Sequence, residues 1–492
     1  MKIDKITLDD FYKIVVEKEN VELSDEAIDR IKKSRLVVDD IIKGDRVIYG
    51  VNSGFGSLKD KKINKEDLEL LQLNLIRSHA VGIGDPSSIE VVRGMLLLRL
   101  VCICNGNSGV RLVIAEKLVE ALNKNYIPLV PQQGTVGASG DLAPLSHMVL
   151  GLLGEGKAFD GEKYVDAKVV MKKLDIEPIK LQAKEGLALN NGTQFICANL
   201  ALACYHSERI MKLCNIIASF TVEVLHGTLN AFDDRIHKAK GHLGQIICAR
   251  EILKYLLPKS ESCKKYSETK VQDAYSLRCI PQIHGISYDI IMEVKKIVEN
   301  EMNSSNDNPL IFDNDIISGG NFHGCYVSIA ADQLCIAMSN LCNISERRLD
   351  RILNKDSNGF MPSFLSRNAG LNSGLMITQY ASAGITAENR QLANPSSIHN
   401  IPTCENYEDV VSMGGHSSRK AYTSVMNTYK VLVYELYAAY QAKPFTKERM
   451  AEKIEELVKT IEKNVKISHL NDDFYMKDEI DGLLEFIKKN TF

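Results

Sequence analysis

Gly134-Thr135-Val136-Gly137-Ala138-Ser139-Gly140-Asp141-Leu142-Ala143-Pro144-Leu145-Ser146-His147 is the stretch around which this chain reads. At its centre Ala138-Ser139-Gly140 lies between glycines and an Asp placed to cap a helix. If the backbone bends hard there, the amide nitrogen of Gly140 reaches the carbonyl carbon of Ala138. Ring closure with loss of water gives an imidazolone, and loss of a second water from the Ser139 side chain leaves an exocyclic methylidene. Each residue type has a reason. A Cβ at position 140 would crowd the attacking nitrogen, Ser139 carries the hydroxyl to be eliminated, and Ala138 is small enough for closure. The plainer reading of the same residues is a tight turn followed by a helix with Asp141 as its N-cap.

The surrounding chain has 492 residues, enough for two or three domains and a large core. A net charge of −3 gives no footprint for nucleic acid or an anionic membrane. Twelve scattered cysteines without a CxxC pair read as reduced thiols of a cytoplasmic protein. Residues 1–17 alternate charged and apolar side chains and lack a signal-type apolar run. The apolar stretch 200–229 is broken by Glu208, Arg209, Lys212 and Glu223, which fits a core helix better than a membrane span. Neither an HExxH motif nor compact Cys/His spacing is present, so no metal is expected.

Taken in order, Ser24-Asp25-Glu26 opens a helix to about Lys33. The run Tyr49-Gly50-Val51-Asn52-Ser53-Gly54-Phe55-Gly56 is a glycine-rich loop, with neither the dinucleotide fingerprint nor a P-loop. It is either a plain turn or a mobile loop presenting a phenol. Residues 65–125 carry helical periodicity, interrupted by Arg77-Ser78-His79-Ala80-Val81-Gly82. A small strand-and-turn insert is expected over 155–180. Long helices are expected over 195–255, 285–303, 323–355, 371–390 and 410–440, with charged helices over 446–489. Polar, Gly- and Asn-rich joints at 272–278, 303–309, 318–323 and 394–409 are the expected seats of site residues.

Ten blocks in order, at 49–56, 74–82, 137–147, 185–194, 271–278, 305–310, 318–323, 345–348, 370–374 and 408–413, make the chain resemble the histidine and aromatic amino-acid ammonia-lyase family. The resemblance implies a mainly α fold of fumarase/aspartase-like architecture. An N-terminal mixed domain (1–195) would carry the prosthetic group, followed by an elongated central helix bundle (196–445) and peripheral C-terminal helices (446–492). It implies that Ala138-Ser139-Gly140 forms a 4-methylidene-imidazol-5-one autocatalytically, with no external cofactor. It also implies a homotetramer with active sites shared between subunits. The aspartase–fumarase group itself is set aside, because its Gly-Ser-Ser-x-Met-Pro-x-Lys-x-Asn loop is absent.

Residue by residue, the resemblance makes Tyr49 the base that removes the β-proton. An ordinary phenol has a pKa of about 10, so its anion needs help from its surroundings. Arg278 matches the residue pairing with the substrate carboxylate, Asn191, Gln272 and Tyr275 match polar residues of the site, and Phe322 matches an aromatic beside it. Taken singly, these residues read equally well as caps, turns and packing. Ser78-His79 and Glu408 match the histidine-acting members, giving trans-urocanate and ammonia; a carboxylate suits an N–H donor and is a poor neighbour for a phenyl ring. Several positions depart from that pattern: Asn190, Ala274, the run Asn406-Tyr407-Glu408-Asp409-Val410, and the Leu392-Ala393-Asn394-Pro395 and Ser417-Ser418-Arg419-Lys420 segments. A lyase acting on another aromatic or basic amino acid, such as tyrosine or phenylalanine, and a 2,3-aminomutase using the same prosthetic group, therefore stay open.

Overall fold

The computed structural model describes residues 1–44, 48, 50–54, 63–257 and 260–490. Tyr49, the expected base, lies outside the described residues. The chain is mainly helical, as expected, and divides into two compact units. The first comprises Met1–Tyr205, Val294–Asp332 and Pro395–Tyr422, and the second His206–Glu293, Gln333–Asn394 and Thr423–Phe492. The units interleave stretches far apart in sequence, whereas a reading along the chain yields consecutive segments.

The first unit is the mixed one. Among the described residues it holds four two-stranded sheets. Lys2–Ile3 pairs in parallel with Glu22–Leu23, and Ile83–Pro86 runs antiparallel to Pro131–Gln133. Lys157–Phe159 pairs with Tyr164–Asp166, forming the hairpin expected within 155–180, and Leu310–Phe312 pairs with Asp315–Ile317. Helix Leu8–Val15 starts on a capping box, in which Thr7 and Asp10 exchange side-chain and backbone hydrogen bonds. Helix Asp25–Lys43 starts at Ser24, whose hydroxyl accepts from the Ala27 amide at 3.1 Å. It runs past Lys33 because Val37, Val38 and Ile41 continue the apolar face into a small cluster with Val51 and Ile311.

Helix Ile89–Cys104 is the centre of this unit. Every residue from Val91 to Cys104 is buried. A helix enclosed on all sides has no polar stripe to show in sequence. Two arginines lie wholly inside it, Arg93 and Arg99, and both donate to chain carbonyls, although Arg99 Nε has no partner among the described residues. Arg93 donates to Ile14 O at 2.6 Å, Val15 O at 3.0 Å and Leu122 O at 2.9 Å, as well as to Asn125 Oδ1 at 3.0 Å. These carbonyls end helices Leu8–Val15 and Leu112–Asn123, so one guanidinium satisfies two helix C-termini at their negative ends.

The described part of the second unit is helical. Its interior contains a fully buried pair: Arg348 holds Glu435 through Nε at 2.6 Å and Nη2 at 2.9 Å. Ser345 and Thr221 hydroxyls donate to the same carboxylate at 2.5 and 2.7 Å. His284 is held well below the usual imidazole range by burial and by Arg348. Being neutral, it donates from Nδ1 to Asn215 Oδ1 at 2.8 Å and takes an Arg348 N–H on Nε2 at 3.3 Å. Helix Met376–Leu392 is inverted: it buries Thr378, Ser382, Thr386 and Asn389 while Ile377 and Tyr380 stay about two-thirds exposed. By length and composition helix Cys325–Leu353 could cross a membrane, but 67% of its apolar window is buried inside the protein, as in a core helix.

Arg93→Met should lower unfolding stability by about 3 kcal/mol, since three helix-end carbonyls lose charged donors. Denaturant unfolding followed by circular dichroism measures this; a change below about 1 kcal/mol would mean that those carbonyls find other partners.

Candidate functional site

The tripeptide sits on a hard bend pinned at both ends. Gly140 has φ +72°, and a Cβ there would lie 2.2 Å from Gly192 O. Gly140 bridges Gly192 in parallel, the Asp141 amide donates to Gly192 O at 2.7 Å, and Thr135 Oγ1 donates to Gly140 O at 3.2 Å. Upstream, the Ser412 hydroxyl donates to Gly137 O at 3.0 Å and the Met413 amide to Val136 O at 2.8 Å. Asn191 donates from Nδ2 to Ser139 O at 2.8 Å, while its Oδ1 is buried without a partner among the described residues. A bent backbone, a position that admits no Cβ, and a central carbonyl fixed from outside are what cyclisation of Ala138-Ser139-Gly140 requires. The residues present therefore fit a methylidene-imidazolone, with Asn191, Gly192 and Ser412 as its cradle.

That cradle is held from inside. Arg99 donates to Ala188 O and Asn191 O, each at 2.8 Å, and to the Gln194 side chain. Gln194 Nε2 reaches Asn306 Oδ1 at 2.7 Å, and Asn306 Nδ2 reaches Thr193 Oγ1 at 2.8 Å. Thr193 in turn donates to Glu301, whose carboxyl is pushed up by burial. Helix Glu185–Asn190, which leads into this turn, has its first amides capped by Gln72 Oε1, with Gly186 N at 2.9 Å and Leu187 N at 3.2 Å.

Asp141 does not have the expected role. It precedes helix Leu142–Leu152, but its side chain makes no cap hydrogen bond. Its carboxylate accepts instead from the Ile196 amide at 2.9 Å and Thr135 Oγ1 at 3.2 Å, tying the tripeptide to the start of helix Gln194–Val224. Burial pushes this carboxyl up to about 7, against the opposing pull of those hydrogen bonds and the Arg99 charge.

Three other expected residues meet the tripeptide's surroundings. The Ser139 hydroxyl donates to Glu408 Oε1. Ser78 Oγ donates to Leu75 O at 3.1 Å and lies 2.9 Å from His79 Nδ1, so Nδ1 carries the proton and Nε2 is left as an acceptor. Burial lowers the His79 pKa, opposed by the Leu75 carbonyl and by the Glu408 carboxylate nearby. Phe322 is half-buried in a segment docked on both sides: His323 Nε2 lies 3.1 Å from Val410 O, and the Gly324 amide donates to Gly137 O at 3.4 Å.

Gln272, Tyr275 and Arg278 form a cluster of their own in the second unit. Arg278 donates to Gln272 Oε1 at 2.7 Å, and its guanidinium lies 4.8 Å from the centre of the Tyr275 ring. The segment is anchored by Asp273, which accepts from the Thr228 amide at 2.7 Å and from Lys270 Nζ at 2.9 Å, and by buried Leu277. Tyr275 is 70% exposed and Val271 98% exposed.

Arg99, Thr403 and Ser412 were not singled out as site residues from sequence. Arg99 looks like an interruption of an apolar run, and Ser412 lies inside a recognised block without a distinguishing pattern. Thr403 shows only a threonine five positions before Glu408.

Asp141 gives a pH test. Its folded pKa lies above the ordinary value near 3.8, so the folded state keeps a proton that the unfolded chain has released. Its contribution to stability is present below about pH 4 and lost as pH rises through about 7. Asp141→Asn removes that titration. Between pH 5 and pH 8 the stability of the variant relative to wild type should rise by roughly 2–3 kcal/mol. A constant difference in denaturant midpoints at the two pH values would remove the assignment.

Compared with known proteins, residues 6–463 match the family described as aromatic amino acid lyase. Histidine ammonia-lyase of Caldanaerobacter subterraneus subsp. tengcongensis is 46% identical over 446 residues, covering 90% of this chain and 87% of that protein. The crystal structure of histidine ammonia-lyase from Trypanosoma cruzi superposes with a TM-score of 0.91 at 38% identity, covering 99% of this chain and 93% of that one. Phenylalanine aminomutase of Pantoea agglomerans superposes with a TM-score of 0.95 at 31% identity, covering 100% and 99%.

Proposed function

Because the chain belongs to the aromatic amino acid lyase family, we propose that it eliminates ammonia from L-histidine to give trans-urocanate, using an electrophile formed from Ala138-Ser139-Gly140. The observation that carries the choice of histidine is Glu408, a carboxylate held beside the tripeptide with His79 nearby. Such a carboxylate accepts an imidazole N–H and disfavours an apolar ring.

When formed, the methylidene-imidazolone supplies an electrophilic carbon, at the position of Ser139 Cβ, that turns the α-amine into a better leaving group. The chain's own residues do the rest. Asn191 holds the carbonyl of residue 139 and polarises the ring built on it. Arg278 takes the substrate carboxylate in a bidentate grip that fixes register, while Gln272 and Tyr275 hold that guanidinium in place beforehand. Tyr49, on its glycine-rich loop, removes the β-proton and helps to exclude water. Phe322 walls the ring side, and Glu408 receives the imidazole.

The protein is further proposed to work as a homotetramer with active sites shared between subunits. The inverted helix Met376–Leu392 supports this, since Ile377 and Tyr380 form an apolar face in search of a partner. The exposed Tyr275 supports it too, because a site residue needs walls. The mass in analytical ultracentrifugation should be about four times that of one chain; a monodisperse monomer would defeat this reading. A cytoplasmic location is supported by the twelve cysteines, none of them in a disulfide.

The function is tested with purified protein and L-histidine, L-tyrosine and L-phenylalanine separately, following ultraviolet absorbance and free ammonia. Both should rise together with histidine. Ser139→Ala should fold and assemble but fall to background, with no loss of two waters by intact mass. Glu408→Gln should lower kcat/KM for histidine by about tenfold or more, and by less for either aromatic substrate. Equal losses would take Glu408 out of the selectivity argument. A β-amino acid product without free ammonia would favour the aminomutase reading.

A further inference from the structure

Glu408 stands at the end of an unusual turn. Thr403 and Glu408 pair across it, with Thr403 N donating to Glu408 O at 3.0 Å and Glu408 N to Thr403 O at 3.2 Å. Between them Cys404, Glu405 and Asn406 all take positive φ, at +52°, +57° and +64°. Non-glycine residues in that region cost of order 1 kcal/mol each and persist only where the surroundings over-determine them. Here they are over-determined. Tyr407 N donates to Cys404 O at 3.0 Å, and Asn400 clamps the strand beyond, giving Nδ2 to Asp409 O at 2.7 Å and accepting the Val411 amide at 2.8 Å.

The product of this strain is one carboxylate with both oxygens engaged. Oε1 accepts from the Ser139 hydroxyl, and Oε2 accepts from Thr403 Oγ1 at 2.7 Å. The first contact is temporary under the function proposed above, because dehydration breaks the Ser139 Cβ–O bond and the hydroxyl leaves as water with the proton from Ser139 Cα, forming the Cα=Cβ double bond. The second is permanent. We infer that Thr403 is a positioning residue for substrate recognition: its hydroxyl fixes Oε2 of Glu408 so that Oε1, released when Ser139 matures, faces the reacting centre as the single acceptor for a substrate ring N–H. The inference rests on the proposed function, and it adds an order of events. Before maturation Ser139 occupies the acceptor that the substrate later needs; after maturation Thr403 alone keeps the carboxylate from swinging away.

The test uses full-length Thr403→Val, Thr403→Ser, Glu408→Gln and the double variant Thr403→Val/Glu408→Gln. Each is first checked by intact mass for loss of two waters at residues 138–140, and by thermal unfolding. Thr403→Val should mature normally and lose about tenfold in kcat/KM for L-histidine, as expected for a hydrogen bond to a charged group. Thr403→Ser, which restores the hydroxyl without the methyl, should stay within about twofold of wild type. In the Glu408→Gln background the valine should add less than about twofold, because its target is gone. Several results would overturn the inference: wild-type kinetics in Thr403→Val, the full loss recurring in the Glu408→Gln background, failure of the serine to rescue, or loss of fold or maturation in Thr403→Val, which would make Thr403 structural. Failure of the underlying reading looks different: wild-type protein that has lost both waters would give no urocanate absorbance from histidine.

Discussion

A buried guanidinium sets the terms for the first unit. Arg99 is taken wholly out of water, and a charge in that position must be met by fixed dipoles or the helix carrying it would not form. The dipoles available are the carbonyls of Ala188 and Asn191 and the amide of Gln194. Meeting Arg99 fixes the turn at 191–193, and that turn presents Gly192 O to the Asp141 amide and the Asn191 side chain to Ser139 O. The bend of the Ala138-Ser139-Gly140 tripeptide is thus tied to a charge held in the core. Asp141 closes the circuit from the other side, its carboxylate accepting the Ile196 amide just beyond the same turn. The bond-forming geometry does not depend on any flexible side chain at the surface.

The two units divide the labour by chemistry. The first holds the tripeptide with Glu408 against Ser139; the second holds a cation with Gln272 and Tyr275 against it. The second unit also reverses the usual arrangement along Met376–Leu392, with hydroxyls and an amide inside and an isoleucine and a tyrosine outside. Buried Asn389 still finds partners, donating to Ser424 O at 3.0 Å. Thr378 donates to Leu375 O at 2.7 Å, whereas the buried Ser382 and Thr386 hydroxyls have no partner among the described residues, and Ile377 and Tyr380 are left exposed outside.

Local chemistry was legible in the sequence; long-range bracing was not. The small residues at 138–140 and the long helices announce themselves by residue type or period, whereas the carboxylate at 408 and the amide at 191 stand out only through the family resemblance. An Asp before an apolar run satisfies the local rule for a cap, so the plainer reading makes Asp141 one, while its acceptor role depends on Ile196, far along the chain. Arg93 and Arg99 carry no period and no motif, since a helix buried on every side has no polar face for them to mark. Thr403 is the sharpest case: its importance exists only once a left-handed turn folds it back on Glu408.

The departures from the histidine-acting pattern can be weighed by where they fall. Asn190 is buried and donates to Ser146 Oγ at 3.2 Å, a contact within the scaffold. Lys420 pairs with buried Asp332 at 2.6 Å, and the other oxygen of Asp332 takes the amides of Ser396 and Ser397, each at 2.8 Å. These residues brace the beginning of the loop that ends in Glu408. Lys420 thus bears on how the loop is supported, the departures at 406–410 lie in the turn around Glu408 itself, and Glu408 stands against Ser139. A scaffold can drift at a brace without changing the groups beside the tripeptide; under the proposed function, the carboxylate at 408 selects for a donor.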